Sequence, residues 1–323
     1  MTAIKHKSQP MHVGNRLPVI RRKLASASLA LAAISLPCLA HTCLAQMPPL
    51  KTAPMLECAG MPCIDLTGPN GAHIKMLVDT GNASSMMDAA KATELGLDVQ
   101  PLLGPDGQPY PGYKVAVIKD VKLGDTSLGD LKVLVVNLQP SIKKGNIPPS
   151  DGLLSYRVFK DRILQLDYNK HQVGVSDVLT TDVPCPAFCG DITLPTFGKQ
   201  GPPIVVASGF QVNGKPLTVQ IDTLYGGTML TYPTSVEKLG LTAQQSATKT
   251  RLFPFTDGGV DMIEGTASKE SFGPIDLKEN APLYFATPKV HTPDGMFDGT
   301  VGHELLTGHV VTFDFHSHHF WIA

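Results

Sequence analysis

The residues best placed to do chemistry are two aspartates, each followed by threonine, in Val78-Asp79-Thr80-Gly81 and Ile221-Asp222-Thr223-Leu224. The stretch from Val78 to Met87 aligns without a gap on Ile221 to Leu230. Two carboxylates held close together cannot both stay ionised, so such a pair shares one proton. One carboxylate can then act as base on a bound water while the other donates a hydrogen bond to a carbonyl under attack. A pair of this kind titrates as a unit, with no fixed acid or base. A lone Asp-Thr-Gly is usually just a turn, so the repeat around it has to carry the reading.

That repeat extends well beyond the aspartates. Leu95-Gly96-Leu97 answers to Leu239-Gly240-Leu241, Asp151-Gly152-Leu153-Leu154-Ser155 to Asp298-Gly299-Thr300-Val301-Gly302, and Leu166-Asp167-Tyr168 to Phe313-Asp314-Phe315. The four landmarks recur in order at offsets of 143, 144, 147 and 147 residues, so the chain is an internal duplication. Each copy begins with a hairpin, turning at Asn70-Gly71 or Asn213-Gly214, because both residue types tolerate positive φ. The returning strand runs into the Asp-Thr segment, and a short helix follows, ending where the Gly of Leu-Gly-Leu suits a C-cap. A Gly- and Pro-rich loop comes next, Gly104 to Gly112 in one copy and Thr256 to Gly259 in the other. Strands then lead to the Asp-Gly landmark, a short helix and a last hairpin. The segment from Val178 to Pro203 reads as the linker between copies.

Composition supports an exported, β-rich chain. Residues 1–45 hold six Lys/Arg, no acid, a small-residue and Leu run, and a Cys43-Leu44-Ala45 cleavage site. They read as a cleaved signal, since a membrane span needs about 20 apolar residues without the break that Pro37 makes. The remainder carries 21 basic against 28 acidic residues, a formal charge of −7, with no basic stripe that nucleic acid would require. Abundant Gly and Pro with short Val, Leu and Thr runs indicate strands rather than long helices. Four cysteines remain in two local pairs, Cys58 with Cys63 and Cys185 with Cys189. Three connectivities are open, and two local disulfides just ahead of each copy are the simplest, each worth about 2 kcal/mol. Neither pair has a second ligand pair at zinc spacing, so no metal is expected.

The hydrophobic-Asp-Thr-Gly, the Leu-Gly-Leu and the Asp-Gly landmark together resemble the retropepsin-like aspartic proteases, over nearly all of the mature chain. The single-chain arrangement is similar to pepsin, and the bacterial proteins described as gag-type aspartyl proteases are similar too. The resemblance implies an all-β, bilobal acid-protease fold of two duplicated β-barrel lobes with short helices, residues 46–180 and 181–323. It implies an endopeptidase whose catalytic pair is Asp79 and Asp222, with loops braced by Thr80, Gly81 and Thr223. The flap and substrate contacts it implies are Tyr110, Gly112 and Tyr113, with Gly258 in the other lobe. A polypeptide substrate, no cofactor, a monomer and a periplasmic or secreted location follow from the same reading.

Two departures from the pattern bear on activity. Leu224 replaces the second Gly, a position where the backbone packs tightly and can use φ/ψ values hostile to a Cβ. Asn82 and Tyr225 stand where Ala or Ser is usual. Leu224 is expected to crowd the meeting of the two loops and depress the rate. A pseudo-protease that binds extended peptides without cutting them is the second function class. Asp167 and Asp314 read as strand-end surface residues, His316 to His319 as a solvated turn, and His303 and His309 as structural. Met86, Met87 and Met229 read as core.

Overall fold

The computed structural model describes residues 47–323 apart from 57, 146, 187, 197–201, 233–234, 236–247, 253–258 and 287–295. The signal-type segment, Leu239-Gly240-Leu241 and Gly258 lie outside the described residues.

Each copy opens with the expected hairpin. Strands Cys63–Thr67 and His73–Asp79 turn at Asn70 (φ 56°) and Gly71 (φ 76°). Strands Val206–Val212 and Lys215–Ile221 turn at Asn213 (φ 51°) and Gly214 (φ 75°). Left-handed backbone at both turn residues is what Asn-Gly supplies cheaply. In the first lobe His73–Asp79 then pairs in parallel with Gly152–Ser155, which lies antiparallel to Met86–Asp88. In the second, Lys215–Ile221 pairs in parallel with Gly299–Val301, antiparallel to Met229–Thr231. The same crossed arrangement thus brings each Asp-Thr to the end of a strand flanked by the Asp-Gly landmark.

Local residues fix these elements. Asp88 caps the helix Ala89–Glu94, one oxygen accepting from Ala90 N and the other from Leu138 N, both at 2.9 Å. The helix stops at Gly96, whose φ of 64° ends it as Leu95-Gly96-Leu97 predicts. Asp151 and Asp298 fasten the landmark to the Asp strand in both lobes. Asp151 accepts from Lys75 N at 2.8 Å and Asp298 from Thr218 N at 2.9 Å.

The lobes share a sheet running Leu50–Pro54, Gln172–Ser176, Ile163–Asp167, Val310–Asp314, His319–Ile322 and Gly190–Thr193. Its centre is an antiparallel pairing between the copies, Leu164 opposite Phe313 and Leu166 opposite Val311. Phe313 and Phe320, 5.0 Å between ring centroids, pack with Phe210 and Phe272 beneath it. Two corrections to the sequence reading follow. The segment read as linker contains the strand Gly190–Thr193, paired on both sides with His319–Ile322 and Val206–Val212. Asp167 and Asp314 are buried rather than surface residues. Asp167 accepts from Lys170 N at 2.9 Å, and Asp314 from His316 and Ser317 N at 3.0 and 2.9 Å, so each closes its hairpin turn. The His316–His318 segment is that turn, and Met87 and Met229 are core. Disulfides join Cys58 to Cys63 and Cys185 to Cys189. Among the described residues no helix is long and apolar enough to cross a membrane.

One buried charge gives a stability prediction. Glu270, on the strand Gly259–Phe272, is fully buried, and its carboxyl oxygens have no hydrogen-bond partner among the described residues. Burial pushes its pKa up to about 8, with Lys278 across the strand pair pulling the other way. A raised folded pKa gives stability that is complete below the unfolded value and fades as pH rises through the folded one. Between about pH 4.5 and pH 7 the wild type should lose about 3 kcal/mol on this account. Glu270→Gln should remove that slope, so its melting temperature relative to wild type should climb with pH. Parallel pH–stability curves would contradict it.

Candidate active site

The two Asp-Thr loops meet between the lobes and are tied together by their threonines. Thr80 N–H donates to Thr223 Oγ1 at 3.1 Å and Thr223 N–H to Thr80 Oγ1 at 3.2 Å. Each hydroxyl reaches on into the opposite strand: Thr80 Oγ1 donates to Ile221 O at 2.8 Å, Thr223 Oγ1 to Val78 O at 2.5 Å. Both threonines are fully buried. A hydroxyl is required here because it must accept and donate at once, which no other side chain of this size does. Gln220 adds a bond from its side-chain amide to Gly81 O at 3.3 Å.

The brace brings the two aspartates to one place. The Asp222 carboxyl lies against Gly81, so a Cβ on Gly81 would fall 2.4 Å from Asp222 Cγ. Gly81 has no positive φ; the position needs glycine for space rather than for backbone freedom. Burial raises the Asp79 carboxyl well above its ordinary range, and the Asp222 charge raises it further. The backbones of Gly81 and Asn82 and the Asn82 side chain pull the other way. Asn82 is held for this by Ser84 N–H, which donates to its Oδ1 at 3.1 Å. Burial also raises Asp222, against hydrogen bonds from Leu224 N at 3.0 Å and Tyr225 N at 3.1 Å to its Oδ1. Two carboxyls raised by burial, one of them also by its neighbour's charge, constitute an arrangement that retains a proton.

Leu224 does not crowd this meeting point, which corrects the sequence expectation. Its side chain, 3 % exposed, inserts into an apolar socket of the first lobe formed by Cys58, Cys63, Leu77, Leu138, Ile147 and Leu153. Its φ is not positive, so the backbone makes no demand for glycine either. Tyr225 turns the opposite way, into the second lobe beside Ile204, Tyr232, Tyr284 and Phe297. The disulfide Cys58–Cys63 therefore forms part of the seat for the second loop. His303 belongs to the same region: it is buried, a methyl on Gly60 would touch its Nε2 at 3.4 Å, and desolvation lowers its pKa.

Serines secure the first loop from below. Ser155 Oγ donates to Asn82 O at 2.7 Å, and Ser155 N–H donates to Ser85 Oγ at 3.1 Å. In the sequence Ser155 stands out only as the last residue of the Asp-Gly landmark, which gives no sign of this role. At the matching position Gly302 is essential for another reason, since a Cβ there would lie 2.3 Å from the carbonyls of Tyr225 and Gly227.

The segment read as the flap is a hairpin of Gln100–Leu103 with Pro109–Leu123. Its turn is shorter than the Gly/Pro-rich stretch: Gly104 N–H donates to Gln108 O at 2.7 Å, and residues 109–112 are already strand. The first six residues of that strand are exposed and apolar alternation starts only at Val115, so the tip stands clear of the core. Tyr110 and Tyr113 are about half exposed on it, and Gly112 has φ 79°. The second lobe has the matching pair Thr248–Leu252 and Gly259–Phe272.

Residues 66–158 match the family described as aspartyl protease. The matched span runs through Asp79 and the flap hairpin to Ser155. No curated protein matches the chain. Among solved structures, basic 7S globulin from soybean aligns over 86 % of this chain and 95 % of its own, at 12 % identity and a TM-score of 0.44. The fold is all-β, two duplicated β lobes with short helices, and residues 66–158 of the first lobe bear the aspartyl-protease sequence pattern.

Proposed function

We propose that the protein is an aspartic endopeptidase whose Asp79 and Asp222, with one shared proton, activate a water for attack on a peptide carbonyl. The lobes supplying them are residues 46–180 and 181–323, and the duplication lets a single chain complete the site. The observation that carries this reading is the reciprocal Thr80–Thr223 brace, which holds two buried carboxyls with raised pKa values at one point. In such a pair the ionised carboxylate takes the water proton while the protonated one donates to the carbonyl oxygen. The flap hairpin, with Tyr110 and Tyr113 on it, would cover an extended substrate. Two disulfides suit an oxidising compartment, in keeping with export to the periplasm or medium. Leu224 was the feature that favoured a binding-only pseudo-protease, and its seat in the first lobe removes that ground.

The test is cleavage of a diverse peptide library by the folded, processed protein at acidic pH, with a statine-type transition-state mimic as inhibitor. Cleavage that the mimic blocks is the expected result. Binding of extended peptides without any cleavage would transfer the site to the pseudo-protease reading.

A further inference from the structure

We propose that a groove beside the Asp79 loop receives an acidic side chain of the bound peptide, selected by Lys132 and Arg157. This rests on the peptide-cleaving reading of the site and specifies its substrate class. The groove encloses about 700 Å³. Ser84, on the chain leaving the Asp79 loop, lines it together with the apolar side chains of Val115, on the flap hairpin, and Leu134. Ser155 lines it too and pairs in register with Asp79, so the groove lies one strand away from the reactive aspartate. Arg157 is two residues further on.

Charge decides what fits. Four basic residues, Lys132, Arg157, Lys160 and Arg162, and two acidic ones, Asp130 and Asp161, line the groove, a balance of +2. The chain after residue 45 carries −7, so this is a local reversal of sign. Both acids are already engaged: Asp130 by Lys119 at 2.5 Å, Asp161 by Lys160 at 3.6 Å. The Arg162 guanidinium donates to the Ser127 and Ser176 carbonyls, each at 2.9 Å, which occupies its donors without cancelling its charge. Lys132 and Arg157 are exposed, and neither forms an ion pair or a side-chain hydrogen bond among the described residues. Two uncommitted cations beside apolar side chains favour a carboxylate and repel a lysine or arginine.

The experiment uses the full processed chain carrying Asp79→Asn, so that binding is read without turnover. Labelled extended peptides with Glu, Gln or Lys at each position in turn are titrated at pH 7 and pH 3. At one position Glu should bind about fivefold tighter than Gln, the scale of a partly exposed ion pair. That preference should vanish at pH 3, where the side chain is protonated. Lys132→Gln with Arg157→Gln should abolish it, and Lys132→Glu with Arg157→Glu should turn it toward Lys. Melting curves of both pairs check that they fold. Peptides that bind with no preference for Glu at any position would overturn the inference, as would a preference that survives the charge reversal. Cleavage of the Gln peptides by the wild type reports on the endopeptidase reading separately. If they are cut without any Glu preference, the groove inference alone falls; if nothing binds or is cut, both fall.

Discussion

Asp79→Asn and Asp222→Asn should each reduce peptide cleavage by about a thousandfold or more, the range lost with an essential acid or base. Asn keeps the size and one carbonyl oxygen, so the loop N–H bonds to Asp222 and the Thr80–Thr223 brace can persist. The same variants should be more stable than wild type at neutral pH. Both carboxyls are raised by desolvation, and Asp79 also by the Asp222 charge. A raised folded pKa means stability that is complete below the unfolded value and lost as pH rises through the folded one. The wild type therefore bears a penalty at neutral pH that the Asn variants lack, and the difference should shrink toward pH 3. Melting temperatures at pH 3 and pH 7, measured beside cleavage, check both halves. Equal stability at every pH with activity lost would leave the aspartates catalytic but not strained by their burial.

Leu224→Gly should destabilise the protein by about 4 kcal/mol, near the upper part of the range for removing a buried leucine side chain. The side chain fills a socket of the opposite lobe, so its loss leaves a cavity between the Cys58–Cys63 disulfide and Leu138, Ile147 and Leu153. It also frees the backbone of the residue whose N–H holds Asp222 Oδ1. Activity should fall with stability rather than rise. Leu224→Met, which keeps the volume, should cost less than about 1.5 kcal/mol. Denaturant melts and initial rates distinguish the outcomes. A Gly variant that is as stable as wild type and faster would restore the crowding view.

The reason that view arose shows what the sequence could and could not carry. The Asp-Thr segments, the Asn-Gly turns and the local cysteine pairs are short-range patterns, the duplication sets copies of them in the same order, and each has a direct structural counterpart. Leu224 was judged against its own loop, whereas its neighbours come from five separated stretches of the first lobe. No local pattern announces a socket assembled in that way. Asp167 and Asp314 were read as surface residues because a polar residue at a strand end usually is. Their burial follows from the sheet between lobes, whose central pairing of Leu164 with Phe313 joins edges that each copy alone would expose. The turn N–H groups they accept were legible in principle from Asp placed just before a hairpin turn. The strand Gly190–Thr193 was hidden by its Pro- and Gly-rich surroundings. Lys132 and Arg157 gave no signal, since their importance lies in what does not pair with them.

The pH dependence of kcat/KM on a cleavable peptide tests the central claim most directly. A carboxyl pair that must hold one proton is active between its two macroscopic ionisations. The predicted result is a bell-shaped profile on the acid side of neutrality, which disappears in Asp79→Asn and in Asp222→Asn. A folded protein that cleaves nothing at any pH would contradict it, as would a rate that keeps rising into the alkaline range and survives either substitution.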